Sequence, residues 1–104
     1  MVVAKDLYVE TRNLPKDECY GLSSQLRRSA VSVPANIAEG YGRNNRGEYI
    51  HFLGIAKGSI NELETLLMIT ECVYPQVKVE IARETTVQIR KMLTRMILSL
   101  KGNG

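Results

Sequence analysis

LSSQLRRSAVSVPANIAEGYG, residues 22–42, reads as one amphipathic helix with a proline inside it and two glycines at its end. Leu22, Leu26, Ala30, Val33 and Ile37 recur at three- and four-residue steps, so they share one face of a helix with a period near 3.6. That face requires cover. The opposite side carries Gln25, Arg27, Arg28, Ser32 and Glu39, with the two adjacent arginines projecting about 100° apart. Pro34 lacks an amide donor, and its ring crowds the carbonyl four residues earlier. The helix therefore either continues through a kink, or ends near Ser32 and gives way to a second helix that opens on Pro34. An apolar register that is the same on both sides of Pro34 favours the continuous form. Gly40 and Gly42 mark the stop, since glycine readily takes the left-handed conformation that closes a helix.

Working outward, a chain of 104 residues is ordinary for a single domain, 1–104, and short for two. An apolar fraction of 44% and a charged fraction of 24% are those of a folded, soluble chain, and with no Trp and one Phe the core must be mainly aliphatic. Long periodic segments and few β-branched runs point to an all-α protein. A formal charge of +3 permits an anionic partner without requiring one. Its distribution is more telling: no acidic residue follows Glu84, whereas Arg90, Lys91, Arg95 and Lys101 do. Cys19 and Cys72 stand alone, which suits a reducing cytoplasm better than a zinc site or a disulfide framework. No run approaches the roughly twenty apolar residues of a membrane span, and Lys5 and Asp6 break the short apolar start. The expectation is a soluble, cytoplasmic protein.

Upstream, Ala4, Leu7, Tyr8 and Thr11 share one side of a short amphipathic helix that Leu14-Pro15 should end. Asp17 and Glu18 then sit near the positive end of the next helix. Downstream, Arg43 to Gly47 form a basic, polar turn. From about residue 48 to 73, Tyr49, Phe52, Leu53, Ala56, Ile60, Leu63 and Leu67 keep a seam of alternating threes and fours. Gly54 and Gly58 lie one turn apart inside it, each unfavourable by up to about 1 kcal/mol relative to alanine, which predicts a structural reason such as close approach of a neighbouring helix. Tyr74-Pro75 ends the segment. The last helix, about 76–100, places Ala82, Ile89, Met92, Leu93, Met96, Ile97 and Leu100 on one face. The sum is an antiparallel up-and-down four-helix bundle whose first helix is short. Ile50, Ile55, Leu66, Met68 and Ile69 lie off the seam, making an apolar sector wider than one core needs; self-association would cover it.

Catalytic chemistry finds little support. Glu48 and His51 have the E-x-x-H spacing of carboxylate-bridged metal sites in bundles, but such sites need a second copy and His51 is the only histidine. Gly40-Tyr41-Gly42 lacks the further glycine and preceding strand of a nucleotide fingerprint, and no residue is placed by a recognised motif to activate a serine. No catalytic residue, metal or cofactor is therefore expected. Asn36 lies beside the apolar face and would need partners in a bundle, Ser59, Asn61 and Glu62 among them; with Glu39 it reads as a register-setting polar contact between helices or as part of a ligand site. Arg27, Arg28, Arg43 and Arg46 bracket the second helix and its turn, and Arg90, Lys91 and Arg95 line the last. They are either a solvated surface or phosphate contacts for RNA or DNA that a symmetric oligomer multiplies into a belt.

The segments YGLSSQLRRSAVSVPANIAEGYGR and EYIHFLGIAKGSINELETLL resemble the four-helix-bundle proteins encoded in intervening sequences of bacterial 23S ribosomal RNA genes, a family also labelled ribosomal-protein-like. The likeness runs from about Leu14 to Leu100, with SVPANIAEG and GSINELETLL its most specific parts. It implies an antiparallel four-helix bundle that assembles as a homopentamer without known catalysis. Similar proteins are accessory subunits of diversity-generating retroelements, in which a basic pentameric barrel binds nucleic acid and a reverse transcriptase. On this chain the resemblance would make Arg27, Arg28, Arg43 and Arg46 nucleic-acid contacts, and Asn36, Glu39, Gly58, Ser59 and Glu62 bundle-defining positions. It departs at the front, where relatives begin with a longer first helix and here Met1 falls inside it, as a shortened reading frame would give.

Overall fold

The computed structural model describes residues 21–102, and the short first helix expected before Leu14 lies outside them. Among the described residues the chain is all-α, with three helices and no strand: α1, Leu22–Tyr41; α2, Arg46–Val73; and α3, Glu80–Gly102.

Helix α1 runs unbroken past Pro34. Leu26, Ala30 and Val33 are buried on the face the periodicity assigned, with Leu22 and Ile37 packed against them. In the turn that Pro34 deprives of a donor, the Asn36 side-chain amide donates to the Ser32 carbonyl (2.8 Å) and to the Ser32 hydroxyl (3.0 Å). Asn36 therefore supports its own helix instead of reaching across to the next. The end of α1 is not left-handed. Gly42 has φ −75°, and no described residue has positive φ. The Gly42 and Arg43 amides donate back to the Ala38 and Gly40 carbonyls, so right-handed turns close the helix.

Gly40, rather than Gly42, is the position that needs glycine. A Cβ there would lie 2.8 Å from the Phe52 Cβ and 3.1 Å from the Tyr49 ring, because the two helices nearly touch at this corner. Asn45 caps α2 by accepting a hydrogen bond from the Glu48 amide at 2.9 Å.

Helix α2 is the spine of the described fold, with α1 packed along one side and α3 along another. Leu53, Ala56, Ile60, Leu63 and Leu67 are completely buried, as their spacing predicts, and Leu66 joins them although it lies off the main seam. Gly54 and Gly58 have no close neighbour within the described chain: both are exposed, and a Cβ on either would meet nothing within 4 Å. No helix of the described chain approaches them. Tyr74 stops α2, its amide donating to the Thr70 carbonyl at 2.8 Å.

Helix α3 begins later than the expected residue 76. Val77 and Val79 are both buried in a non-helical connection, an alternation of period two that inserts every second side chain under the core. Along α3, Ala82, Thr86 and Leu93 are buried with Ile89, Met96, Ile97 and Leu100 partly so, whereas Met92 is turned outward. Thr86 and Thr70 enter the core because each hydroxyl donates to the carbonyl one turn back, at 2.7 and 2.8 Å, and leaves no unsatisfied polar atom. Arg83 pairs with Glu71 and Arg90 with Glu64, which fixes α3 antiparallel to α2.

Candidate nucleic-acid interface

The seven basic residues singled out by sequence fall into three groups, and their chemistry is not alike. Arg43 and Arg46 flank the α1–α2 corner. Arg43 is partly neutralised: its guanidinium lies 2.6 Å from a Glu39 carboxylate oxygen and its Cζ sits 5.0 Å from the Phe52 ring centroid. Glu39 thus forms an exposed pair with the residue one turn on, not a contact between helices. Arg46, in the first turn of α2, is exposed and forms no ion pair among the described residues.

Arg27 and Arg28 lie in the second turn of α1, roughly 20 Å from that corner at 1.5 Å per residue. Arg27 is half-buried, and Arg28 is exposed with its guanidinium donating to the Ser24 hydroxyl at 3.1 Å. On α3, Arg90 is drawn onto Glu64 at 3.0 Å, with both side chains mostly covered. Lys91 and Arg95 stay exposed and unpaired among the described residues. Within the described subunit the α1 arginines thus stand well away from the corner pair, and Lys91 and Arg95 lie one turn apart on α3.

Ser59 does link helices, its hydroxyl lying 2.8 Å from that of Ser32. Beside this bond a cleft of about 190 Å³ opens between α1 and α2, lined by Gln25, Arg28, Ser29, Ser32, Ser59 and Glu62. Glu62 is exposed at its rim and Gly58 lies on the open side of α2, so neither ties the described helices together. Sequence reasoning does not single out Gln25, Ser29 and Ser32 as site residues. Their signal is a polar stripe at steps of four, three and four, running from Gln25 through Ser29 and Ser32 to Asn36 beside the apolar face. Near the corner, His51 packs edge-on to Phe52 at 5.5 Å. Among the described residues no three His, Cys, Asp or Glu side chains gather as a metal site.

Consecutive helix hairpins, with Arg46, Lys91 and Arg95 exposed on them, define a small all-α protein among the described residues. No described helix is long and apolar enough to cross a membrane. Residues 1–95 match the family model of the 23S rRNA-intervening sequence protein, and the chain belongs to that family. No curated protein matches the chain.

Proposed function

We propose that the protein is a non-enzymatic cytoplasmic homo-oligomer of four-helix bundles, pentameric as the family likeness implies, that binds structured RNA through a basic surface. The observation that carries this reading is the set Arg46, Lys91 and Arg95: exposed, without carboxylate partners among the described residues, in a member of a family described by 23S rRNA. A cation already paired must release its carboxylate before it meets a phosphate, whereas a free one exchanges only water and counterions. Arg43 and Arg90 should accordingly contribute less than these three.

Fluorescence anisotropy with an RNA hairpin across a salt series tests the proposal. Replacing Arg46, Lys91 and Arg95 together by alanine should lower affinity and flatten the plot of log K against log salt by about 0.7 to 0.9 for each phosphate left without its cation. Replacing Arg43 and Arg90 should change the slope less. Binding that ignores salt, or equal affinity for a neutral polymer, overturns the proposal.

The exposed Ile81 favours a second reading, a scaffold or accessory subunit for a protein partner such as a reverse transcriptase. Co-purification of that partner after nuclease treatment separates the two.

A further inference from the structure

The α1–α2 cleft holds a pair of opposite charges that do not meet. Arg28, on the α1 wall, donates to Ser24 within its own helix, and Glu62, on the α2 wall, has no partner among the described residues. Gln25, Ser29, Ser32 and Ser59 complete the lining, the hydroxyls of Ser32 and Ser59 bonded to each other at 2.8 Å. A ligand entering here finds a two-oxygen acceptor on one wall and a planar, multiply donating cation on the other.

We infer that this cleft is a site for one guanine base. Guanine alone among the four RNA bases presents two adjacent donors, N1–H and N2–H, that match a carboxylate, and on its other edge two adjacent acceptors, O6 and N7, that match a guanidinium. Cytosine and adenine offer a carboxylate one amino group beside a ring acceptor, and uracil offers a single imino N–H. The size is suitable: a cavity of roughly 150 Å³ admits a benzene ring, and the cleft's volume of about 190 Å³ with an open mouth admits a bicyclic base lying between the walls. Single-stranded loops present bases with these edges free. The same edges belong to a free guanine nucleotide, and the RNA source rests on the reading in the preceding subsection.

The test uses hairpins of one stem whose single unpaired loop base is G, inosine, A, C or U, with free GMP as a separate arm, against the full chain and its Glu62→Gln variant. Glu62 is exposed, so the variant should keep the helical circular dichroism and melting temperature of the parent. The G hairpin should bind tighter than the A, C and U hairpins by about 5- to 150-fold, the range for one good bidentate contact, with inosine in between because it lacks the N2 amine. Glu62→Gln should erase the preference while leaving salt-dependent affinity for the stem within about twofold. GMP binding abolished by Glu62→Gln, without a loop preference, supports the site and places the guanine source in free nucleotide. Equal binding of all five hairpins together with no GMP binding overturns the guanine site and leaves RNA binding through the outer cations standing. A G preference that survives Glu62→Gln also overturns it. Failure of every hairpin to bind overturns the RNA reading itself.

Discussion

A methyl group added at Gly40 would stand 2.8 Å from the Phe52 Cβ, an atom fixed to the α2 backbone and unable to swing away. The helices must separate to admit it. Gly40→Ala should therefore destabilise the fold by about 1 to 3 kcal/mol, the cost of overpacking, read as a lower midpoint in urea. Gly54→Ala and Gly58→Ala should do the opposite within a subunit, each adding about 0.5 to 1 kcal/mol, because a Cβ meets nothing within 4 Å and alanine is the better helix former. The sequence contains all three glycines but not which of them is crowded. That depends on how closely the corner brings residue 40 to residues 49 and 52, a long-range distance that no local pattern encodes. Arg90 is similar. Its neutralisation comes from Glu64, on another helix and 26 positions away, whereas the Glu39–Arg43 pair follows from simple one-turn spacing.

Element boundaries were legible where chemistry is local. Tyr74-Pro75 ends α2 as its residues require, and the asparagines of the 43–47 turn supply a cap. Asn45 accepts from the Glu48 amide at 2.9 Å, so Asn45→Ala should cost about 0.5 to 2 kcal/mol in thermal melts and Asn45→Asp should retain most of the stability. The start of α3 was less legible. Val77 and Val79, two positions apart, would fall about 160° apart around a helix, and both are buried in the connection that turns at Tyr74 before α3 begins. Two apolar residues are too few to establish a period against the longer helical pattern that follows them, and packing decides where the helix begins. Continuity of α1 through Pro34 was legible for the converse reason, since a register kept over several turns is a strong constraint. The polar cleft was the hardest to see. Its serines gain meaning only once α1 and α2 are set face to face.

At the level of the whole molecule, the described chain leaves apolar side chains in the open that α1, α2 and α3 cannot hide from one another. Met68 is 50% exposed and Leu98 62% exposed, and neither lines the α1–α2 cleft. A single apolar residue at a surface needs no explanation; several on two helices, with two exposed glycines elsewhere on α2, suit a second copy packed close. Glutamate at such positions has little effect on a lone subunit, where it meets water, but within a packed interface it buries an unpaired charge. Replacing Met68 and Leu98 together by glutamate should therefore lower the mass found by size exclusion with light scattering to that of one chain, with helical circular dichroism unchanged. Salt-dependent RNA affinity should fall with the mass, because joined copies bring the cations of several subunits to one RNA. A parent protein that runs as a single chain at micromolar concentration, or a double variant that keeps the parent's mass, removes self-association. The cations of one subunit would then have to hold RNA unaided.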